Sequence, residues 1–450
     1  MNYKPQDATP AISTTVLSDD EIRKILIERI DVRHQSVGIV VGIINGERRS
    51  VIAQGHLDGG DQRPLNGDTV FEIGSLTKVF TSLLLSDMVQ RGEVSLDDPV
   101  AKYLPSAVRM PERNGRVITL VDLATHTSGL PRLPGNIAPR NINNPYADYT
   151  VEQLYQFLSN YSLTRDIGSE FEYSNLGGGL LGHVLARRAD TDYETLVYSR
   201  ICDPLGMKNT RITLTSEMKA HFAVGHDGGL KPVENWDFPT LAGGGALRST
   251  ANDLLTFLAA NLGITKSPLS AAMAAMLKIR RPTELTKTER ALGWGILKRD
   301  GKEIIQHIGM TGGYCSLMGY ENKSGVGVVV LSNAAWPVDD IGDHLLYTGF
   351  PLSKPPSKHA EAKVDTRIFD AYLGKYQLLP NYIITISSEG DRLFVQTTWQ
   401  GKCEIFPESD HHYFLKVIDT QIIFVMGCNG MATELFLHNN DVFQQAKRIE

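Results

Sequence analysis

Two β-rich segments lie far apart in this chain, and a long helix-rich segment separates them. In residues 37–53, β-branched residues flank Asn45-Gly46, a pair typical of a tight hairpin turn. Residues 294–332 contain further apolar runs separated by turn residues. Because strands need partners, this order favours an antiparallel sheet that both ends of one domain complete. The predicted fold class is α+β, with helices flanking the sheet and a mostly helical subdomain beside it.

The chain of 450 residues divides into four predicted parts. Residues 1–16 form a flexible arm, residues 17–350 the α+β domain, residues 351–364 a linker rich in Pro, Ser and Lys, and residues 365–450 a small antiparallel β-barrel domain. The barrel prediction rests on six short alternating runs with turns between them. They are Tyr382–Ile386, Arg392–Gln396, Glu404–Phe406, Tyr413–Val417, Ile422–Val425 and Glu434–His438.

The composition argues against several classes of protein. The net charge is −6 and no long basic run is present, which argues against a nucleic-acid partner. No apolar stretch reaches the ~18 residues that a membrane-spanning helix needs, so no membrane span is predicted. Cys202, Cys315, Cys403 and Cys428 lie far apart without a C-x-x-C pair, which argues against a disulfide framework or a zinc ribbon. No metal site and no cofactor are predicted.

The first residues of the sequence show no export signal. Residues 1–7 are polar and lack the apolar core of a signal peptide. The expected location is therefore cytoplasmic if the sequence is complete, and periplasmic or extracellular if a signal peptide has been removed.

Ser75-Leu76-Thr77-Lys78 is an S-x-x-K tetrad at the start of an apolar run with helical spacing, which predicts a helix from Ser75 to Arg91. Residues three apart share a helix face, about 5–6 Å from each other. A buried amine whose pKa is lowered by desolvation can take the serine proton, and a helix N-terminus stabilises a developing oxyanion. The tetrad therefore predicts acyl transfer through a serine ester.

A second tetrad shows that the pattern alone is not specific. Ser216-Glu217-Met218-Lys219 also spells S-x-x-K, but its neighbours are polar. We interpret Ser216 as the N-cap of a short exposed helix. The assignment of Ser75 therefore depends on the motifs that accompany it.

The first accompanying motif is Tyr173-Ser174-Asn175, in a loop before a predicted helix. A tyrosine whose pKa is lowered by a nearby cation can carry a proton to a leaving group. Asn175 can hold a substrate amide or the amine of Lys78. The alternative, which the motif taken alone favours, is a loop tyrosine followed by a helix-capping asparagine.

The second accompanying motif is His307-Ile308-Gly309-Met310, which follows a predicted strand. Gly309 would let a substrate backbone lie against the strand edge, and the Met310 N–H could donate to an oxyanion. His307 could bind substrate or tune Tyr173. The alternative is a histidine packed in the core at the end of a strand, and the motif alone does not separate the two.

Other motifs are better explained by structure than by chemistry. Gly177–Gly182 spells G-x-G-x-x-G, but no clear strand precedes it, so close helix packing explains the glycines better than a dinucleotide site does. Tyr320-Glu321-Asn322 repeats the Y-x-N pattern within a predicted hairpin turn, and His226 lies in a glycine-rich turn. His126 is interpreted as a loop residue that satisfies backbone groups.

In this order, the S-x-x-K, Y-x-N and H-x-G motifs resemble those of the serine β-lactamase and penicillin-binding-protein superfamily. The Y-x-N form is similar to that of its class C-like branch, which includes D,D-carboxypeptidases and endopeptidases, D-amino-acid peptidases and amidases, esterases and class C β-lactamases. The resemblance spans residues 20–345 and extends to Leu96–Pro99, Leu123–Gly129 and Gly243–Thr250. It implies a β-lactamase/transpeptidase-like fold for residues 17–350.

The resemblance also implies roles for individual residues. Ser75 would be the nucleophile and Lys78 its base. Tyr173 would carry the proton to the leaving group and later help to activate water, while Asn175 would orient the substrate and Lys78. The backbone N–H groups of Ser75 and Met310 would form the oxyanion hole.

One departure from the family pattern bears on the substrate. β-Lactamases and many D,D-peptidases have K-T-G where this chain has His307-Ile308-Gly309. The lysine charge and the threonine hydroxyl, which help to hold a substrate carboxylate in those enzymes, are therefore missing. Thr311 could compensate in part. Inefficient β-lactam hydrolysis is expected.

The predicted function is a serine hydrolase that forms an acyl-enzyme on Ser75 with a small-molecule or peptide substrate. The leading hypothesis is a D-stereospecific peptidase or a D,D-carboxypeptidase/endopeptidase-like enzyme. The alternatives are a carboxylesterase of the same fold, a weak class C-like β-lactamase, and a non-catalytic penicillin-binding or sensor protein. The C-terminal domain resembles the lipocalin-like β-domain of some family members, and it could gate the site or mediate a homo-oligomer.

Overall fold

The computed structural model describes residues 17–46, 48–283, 287–354, 359–379, 382–398, 402–416, 420–439 and 442–450. The predicted flexible arm, residues 1–16, lies outside the described residues, and so do residues 355–358 of the predicted linker. Within the described ranges, no helix is long and apolar enough to cross a membrane.

Both ends of the larger part of the chain meet in one sheet. The strands of this part of the chain are β1 Gly38–Asn45, β2 Arg48–Asp58, β3 Asp61–Pro64, β4 Val70–Glu72, β5 Glu112–Arg113, β6 Arg116–Val117, β7 Arg248–Thr250, β8 Arg281–Pro282, β9 Thr288–Arg290, β10 Gly295–Arg299, β11 Lys302–Met310, β12 Cys315–Glu321 and β13 Val326–Ser332. β4 pairs with β7 and β5 with β6 in two small separate ladders. Over the described residues, the main antiparallel sheet has the order β3-β2-β1-β13-β12-β11-β10-β9-β8. Ile39 of β1 lies opposite Ser332 of β13, so the prediction of a sheet that both ends complete is confirmed.

Helices cover both faces of this sheet. The helices of the described residues are α1 Asp19–Ile27, α2 Thr77–Gln90, α3 Leu120–Ala124, α4 Val151–Asn160, α5 Asn175–Arg188, α6 Tyr193–Val197, α7 Asp203–Leu205, α8 Ser216–Ala220, α9 Ala251–Asn261, α10 Ser270–Met276 and α11 Asp339–Leu346. α1 and α11 pack on one face of the sheet and α9 on the other. The side chains of β1 alternate between two cores: Ile39 and Val41 pack with residues of α1 and α11, and Val40 packs with residues of α2 and α9. Because both faces are covered, β1 is buried along almost its whole length.

Short 3₁₀ and π-helical turns complete the regular structure. The 3₁₀ turns are Gly74–Leu76, Val100–Tyr103, Ala242–Gly244 and Thr366–Ala371, and the π turns are Glu28–Val32 and Tyr198–Cys202. Two of the 3₁₀ turns, at residues 74–76 and 242–244, contribute directly to the candidate site.

The short helix of the second S-x-x-K tetrad is present, but a different residue caps it. Thr215 has extended backbone angles, and its side chain accepts a hydrogen bond from Met218 N at 3.2 Å. Ser216 is the first residue inside α8. The prediction that Ser216 is the N-cap is therefore wrong by one residue, because the cap is the last residue with extended backbone and it is Thr215 that meets this condition.

The C-terminal part of the chain is a closed antiparallel barrel. Its strands are β14 Gly374–Leu379, β15 Tyr382–Glu389, β16 Arg392–Thr397, β17 Cys403–Pro407, β18 His412–Phe414, β19 Thr420–Met426, β20 Ala432–Asn439 and β21 Val442–Arg448. In the described residues, each strand pairs with the next, and β14 closes the barrel against β21 with Tyr376 opposite Arg448. The predicted small barrel is confirmed, although the prediction misses β14 and β21. Its lipocalin-like character stays a prediction.

Candidate active site

The turn that carries Ser75 lies against the end of β11. β4 leads into the 3₁₀ turn Gly74–Leu76, and α2 begins at Thr77, so the predicted helix starts with one tighter turn. Gly74 has a φ of 48°, a conformation that L side chains rarely adopt. A Cβ on Gly74 would also lie 2.8 Å from Met310 N. The glycine therefore allows the half-buried Ser75 to lie beside the residue whose N–H is the predicted oxyanion donor.

Gly309 makes room for the residue that precedes this turn. A Cβ on Gly309 would overlap the carbonyl oxygen of Ile73 and the hydroxyl of Ser316. Ser316 Oγ donates a hydrogen bond to Ile73 O at 3.0 Å, which fixes the approach. The structure thus gives Gly309 a packing role, and its predicted contact with a substrate backbone stays a prediction.

Lys78 lies one turn after Ser75 and bonds to three acceptors. Its Nζ donates to Ser75 Oγ at 3.0 Å, to Asn175 Oδ1 at 2.9 Å and to Gly244 O at 2.6 Å. An ammonium group has three N–H donors, and each of them has an acceptor here. In the neutral amine, which has two N–H donors, Asn175 Oδ1 and Gly244 O can keep theirs, and the nitrogen lone pair is then available to the hydroxyl of Ser75.

The surroundings of Lys78 favour its neutral form. The residue is 3% exposed, and its burial lowers the pKa of the amine. The positive charges of Arg132 and Arg290 act in the same direction, while Tyr173 opposes them. Because a neutral amine is the form that can accept a proton, the lowered pKa makes Lys78 a candidate general base.

Asn175 connects Lys78 to a residue that the sequence analysis misses. Asn175 Nδ2 donates to the hydroxyl of Tyr146 at 3.0 Å, and burial raises the pKa of Tyr146 to about 12, which keeps this phenol neutral. Asn175 is the first residue of α5, and the N-cap is Ser174, whose Oγ accepts from Gly177 N at 2.8 Å. The alternative of a capping asparagine is therefore wrong, and the contact of Asn175 with Lys78 is present.

Tyr173 lies over the amine of Lys78, whose Nζ is 4.9 Å from the centre of the tyrosine ring. Burial opposes ionisation of this phenol. The charge of Lys78, hydrogen bonding with Lys78 and Ser75, and the charge of Arg290 together outweigh burial, so the pKa of Tyr173 is lowered. The phenol is thus placed and tuned for proton transfer between the amine and a group bound at Ser75.

His126 bonds to the backbone of the Y-x-N motif and packs against the ring of Tyr173. Its Nδ1 accepts a hydrogen bond from Ser174 N at 3.2 Å, and the two rings lie 4.6 Å apart. Burial, with the charges of Arg290 and Lys78, holds the pKa of His126 well below its usual value, which leaves the imidazole neutral. The interpretation of His126 as a residue that satisfies backbone groups is confirmed.

His307 is buried at the end of β11, and its neighbour points to solvent. His307 Nδ1 donates to Ile308 O at 2.6 Å, and Nε2 has no hydrogen-bond partner among the described residues. Burial, together with the charges of Arg290 and Lys78, holds the pKa of His307 well below its usual value. The neutral ring lies 6.2 Å from that of Tyr173. Ile308 is 48% exposed, so the strand offers an apolar surface where the family pattern has a threonine.

Thr311 is buried next to the ion pair that Glu72 forms with Arg248. Glu72 accepts hydrogen bonds from Arg248 Nη2 and from Trp236 N, each at 3.1 Å. Burial raises the pKa of Glu72, while Arg248 and the hydroxyl of Thr311 act against this rise. Thr311 is itself 2% exposed. Its predicted role in holding a substrate carboxylate stays a prediction.

Two arginines beside Tyr173 are also missed by the sequence analysis. The guanidinium carbons of Arg132 and Arg290 lie 5.2 and 5.9 Å from the centre of the Tyr173 ring. Arg290 Nε is buried and has no hydrogen-bond partner within the described ranges, and burial lowers the pKa of this group. No local pattern marks either residue, because each reaches the site only through the fold.

The remaining motifs do not contribute further chemistry to the site. Gly177–Gly182 lies within α5, where a Cβ on Gly182 would come 2.8 Å from Gly243 Cα. Close helix packing is thus confirmed as the reason for these glycines. Among the residues that the structure describes, no group of three or more His, Cys, Asp and Glu side chains is placed to hold a metal ion.

Comparison with known families gives two matches that together span most of the chain. A family model described as Beta-lactamase matches residues 22–347, which include the S-x-x-K, Y-x-N and H-x-G motifs. A second model, described as a domain of unknown function (DUF3471), matches residues 358–450.

Individual relatives agree with the first match. D-alanyl-D-alanine-carboxypeptidase/endopeptidase AmpH of Escherichia coli (strain K12) is 33% identical over 314 residues, which are 66% of this chain and 79% of that protein. Penicillin-binding protein 4* of Bacillus subtilis (strain 168) is 25% identical over 458 residues, 94% of this chain and 98% of that protein. The crystal structure of a class C β-lactamase from Rhodobacter sphaeroides is similar with a TM-score of 0.63 at 27% identity, over 73% of this chain and 99% of that chain.

Proposed function

This chain belongs to the Beta-lactamase family, and we propose that it is a serine hydrolase that works through an acyl-enzyme on Ser75. The contacts of Lys78 carry this proposal. One buried amine bonds to Ser75 Oγ, while Asn175 and the carbonyl of Gly244 hold it in place. An amine that is buried, oriented and of lowered pKa has the properties of a general base.

In the proposed acylation, neutral Lys78 accepts the hydroxyl proton of Ser75 as Oγ bonds to the substrate carbonyl carbon. The carbonyl oxygen gains the displaced electron pair, and the N–H groups of Ser75 and Met310 donate to it. Lys78 then passes its proton through the hydroxyl of Tyr173 to the leaving group, whose bond to carbon breaks. The oxyanion returns its electron pair to re-form the carbonyl as this bond breaks. The products are an ester on Ser75 and a leaving group that carries the transferred proton.

The proposed deacylation uses the same path with water as the nucleophile. Tyr173 accepts a proton from the attacking water and passes one to Lys78. When the ester bond breaks, Lys78 returns the proton to Ser75 Oγ, and the acid is released. The lowered pKa of Tyr173 supports this step, because it brings the phenol closer to the operating pH, where one group can both accept and release a proton.

We propose a D,D-carboxypeptidase- or endopeptidase-like substrate class, and Arg290 supports it. Such a leaving group ends in a carboxylate, which needs a cation in the cleft. His307 is neutral and cannot supply the charge. Arg290 is a cation beside it, and the buried Nε of its guanidinium has no hydrogen-bond partner among the described residues. A leaving-group carboxylate would satisfy this donor with charge-assisted hydrogen bonds. The printed activity of the AmpH relative agrees with this proposal.

A carboxylesterase is the second candidate, and Ile308 is the observation that favours it. This side chain is 48% exposed beside the site. An apolar alcohol as leaving group would gain about 25 cal/mol for each Å² of apolar surface that it buries there. A carboxylate leaving group gains nothing from the same contact.

Mass spectrometry of the intact protein tests the acyl-enzyme. The wild type should gain the mass of the acyl group after exposure to a penicillin, to a nitrophenyl ester or to a D,D-peptide, and Ser75→Ala should gain none. Ser216→Ala is the matched control, because it removes the serine of the exposed tetrad. An adduct of unchanged yield on Ser75→Ala would overturn the proposal.

Arg290→Gln separates the two candidate substrate classes. In the peptidase, this change should lower kcat/KM for D,D-peptides about 10-fold or more, since hydrogen bonds to charged groups contribute ~1.5–3 kcal/mol. Turnover of a neutral nitrophenyl ester should fall by a smaller factor, since no carboxylate is involved. The loss on the ester reports the effect of the Arg290 charge on the pKa values of Lys78 and Tyr173. Fast ester turnover without cleavage of any D,D-peptide would instead favour the carboxylesterase.

The division of the chain into domains is also a proposal. We place the catalytic domain at residues 17–350 and the barrel domain at residues 365–450. Two separate family matches support this division, and so does a barrel whose first strand begins at Gly374.

A further inference from the structure

Tyr146 lies in the loop between α3 and α4 and packs against residues 236–238. Its ring stacks on that of Phe238, with the two centroids 4.4 Å apart and the planes at 26°. The ring of Trp236 lies 5.6 Å away. Tyr146 itself is 2% exposed. Because two rings and the surrounding core restrict this side chain, its hydroxyl oxygen has a fixed position.

Polar contacts hold the loop of Tyr146 to the same segment. Asn144 Nδ2 donates to Asp237 Oδ2, and Asp237 N donates to Asn144 Oδ1, each at 2.9 Å. Trp236 N donates to Glu72 Oε1 at 3.1 Å, and Glu72 is the last residue of the strand that precedes the candidate nucleophile. The position of Tyr146 is therefore tied to the backbone that leads into the candidate active site.

The hydroxyl of Tyr146 determines which end of the Asn175 amide faces Lys78. Asn175 Nδ2 donates to this hydroxyl at 3.0 Å, and Asn175 Oδ1 accepts from Lys78 Nζ at 2.9 Å. A side-chain amide has its donors at one end and its acceptor at the other. Since the phenol oxygen holds the nitrogen end, the oxygen end stays on the amine. An amide turned around would direct its N–H groups at those of Lys78.

We infer that Tyr146 is a positioning residue for the proposed base, because it fixes the amide of Asn175 and the amide orients Lys78. This inference rests on the proposed function, in which Lys78 accepts the proton of Ser75. The neutral amine has two N–H donors, and Asn175 Oδ1 accepts one of them. If the amide turns freely, the lone pair of the amine is directed at Ser75 for a smaller fraction of the time, and acylation slows.

Removing one hydroxyl tests this role. Tyr146→Phe keeps the ring and should slow acylation by a nitrophenyl ester about 10-fold, the effect of one lost hydrogen bond. The apparent substrate affinity, taken from the same single-turnover measurements, should stay within about 2-fold of the wild type. A merely structural role would not divide the rate from the affinity in this way.

Tyr149→Phe is the matched control and should acylate at the wild-type rate. Tyr149 lies in the same loop, is 3% exposed and donates its hydroxyl to Asn136 Oδ1 at 3.0 Å. Both variants thus lose a buried hydroxyl that bonds to an asparagine. A general loss of stability would appear in both, whereas loss of the amide orientation would appear in Tyr146→Phe alone.

A double-mutant cycle tests whether Tyr146 acts through Asn175. Asn175→Ala removes the amide, so the addition of Tyr146→Phe should slow acylation by less than about 2-fold further. A full 10-fold loss in that background would show that Tyr146 acts on the reaction directly, and would overturn its positioning role.

The titration of Lys78 gives a readout that needs no substrate. The oxygen of Asn175 stabilises the ammonium form, so Tyr146→Phe should lower the pKa of Lys78 by about 0.5–1 unit, and Tyr149→Phe should leave it unchanged. NMR of protein that contains lysine labelled with ¹³C at Cε measures this pKa, and Lys78→Arg identifies the signal. The other titratable groups around Lys78 are the same in both variants, and they are Tyr173, Arg132, Arg290, His126 and His307.

The outcomes separate this inference from the proposed function. Wild-type acylation or an unchanged pKa of Lys78 in Tyr146→Phe, or equal losses in Tyr149→Phe, would overturn the role of Tyr146 even if Ser75 forms its adduct. A pKa lowered in Tyr146→Phe alone, with no adduct on Ser75 in the wild type, would support the positioning of the amine and overturn the acyl-enzyme.

Discussion

The chain contains the S-x-x-K pattern twice, and the two copies differ in what surrounds them. Lys78 is 3% exposed and directs its amine at Ser75. Ser216 and Lys219 are exposed on α8, a helix of five residues that buries only Met218. The pattern brings a hydroxyl and an amine to one helix face in both places. Burial and a fixed set of acceptors are present in one place only, and these change the basicity of the amine.

Removing each lysine should give the largest contrast between the two copies. Lys78→Ala removes the proposed base and should slow acylation by about 10³-fold, within the range for general base catalysis. Lys219→Ala should leave the rate unchanged. Single-turnover release of nitrophenol from an activated ester measures both. Acylation of Lys78→Ala at the wild-type rate would show that the base lies elsewhere.

The two Y-x-N motifs allow a similar test with a smaller effect. Tyr173→Phe removes the proposed proton carrier and should lower kcat by about 10²-fold for a poor leaving group. Tyr320→Phe removes a hydroxyl from a buried strand residue and should leave kcat unchanged. Steady-state assays with an amide and with a nitrophenyl ester measure the difference. An equal loss on both substrates would argue against proton delivery to the leaving group.

The pH dependence should distinguish the environments of the two lysines. The neutral form of Lys78 is the active one, so activity should fall as the pH drops through its lowered pKa. Asn175→Asp places a carboxylate beside the ammonium and raises the pKa of Lys78, so the acidic limb of the kcat/KM profile should move to higher pH by about 1–3 units. Ser216→Asp, near Lys219, should leave the profile in place. If Asn175→Asp does not move the acidic limb, that limb reports the titration of a group other than Lys78.

The smallest effect concerns the cap of the exposed tetrad. Thr215→Ala removes the side-chain acceptor of Met218 N and should lower the free energy of unfolding by about 1 kcal/mol. Ser216→Ala should change it by less than about 0.5 kcal/mol. Urea unfolding followed by tryptophan fluorescence compares them. A larger loss for Ser216→Ala would restore Ser216 as the capping residue.

Local patterns predicted the elements of the fold better than they predicted the partners of each element. The helix after Ser75, most of helix α5 and the antiparallel strands at both ends of the larger part of the chain follow from periodicity and turn residues. The first and last strands of the barrel, Gly374–Leu379 and Val442–Arg448, were missed. These two strands pair with each other although the rest of the barrel sequence lies between them. A short stretch of sequence contains no signal for such a distant pairing.

The sequence motifs likewise predict only some of the residues of the candidate site. Ser75, Lys78, Tyr173 and Asn175 lie within short motifs, and the structure brings them together. Arg290 belongs to a strand in which no neighbour suggests a site. Its place in the cleft depends on β9, β10 and β11 being adjacent in the sheet. Only the folded chain distinguishes such a residue, through its burial and a donor without a hydrogen-bond partner among the described residues.

The pairing of β1 with β13 has a consequence for how the protein is made. Ile39 lies opposite Ser332, so β1, an interior strand of the main sheet, leaves the ribosome long before β13 exists. Until then β1 has only the hairpin with β2, and an isolated hairpin is at best marginally stable in water. The strand is apolar on both faces and must wait through most of translation with its surface uncovered. Residues 38–45 are therefore the segment on which a chaperone would act, and slow translation before residue 326 would lengthen the period in which the nascent chain can aggregate.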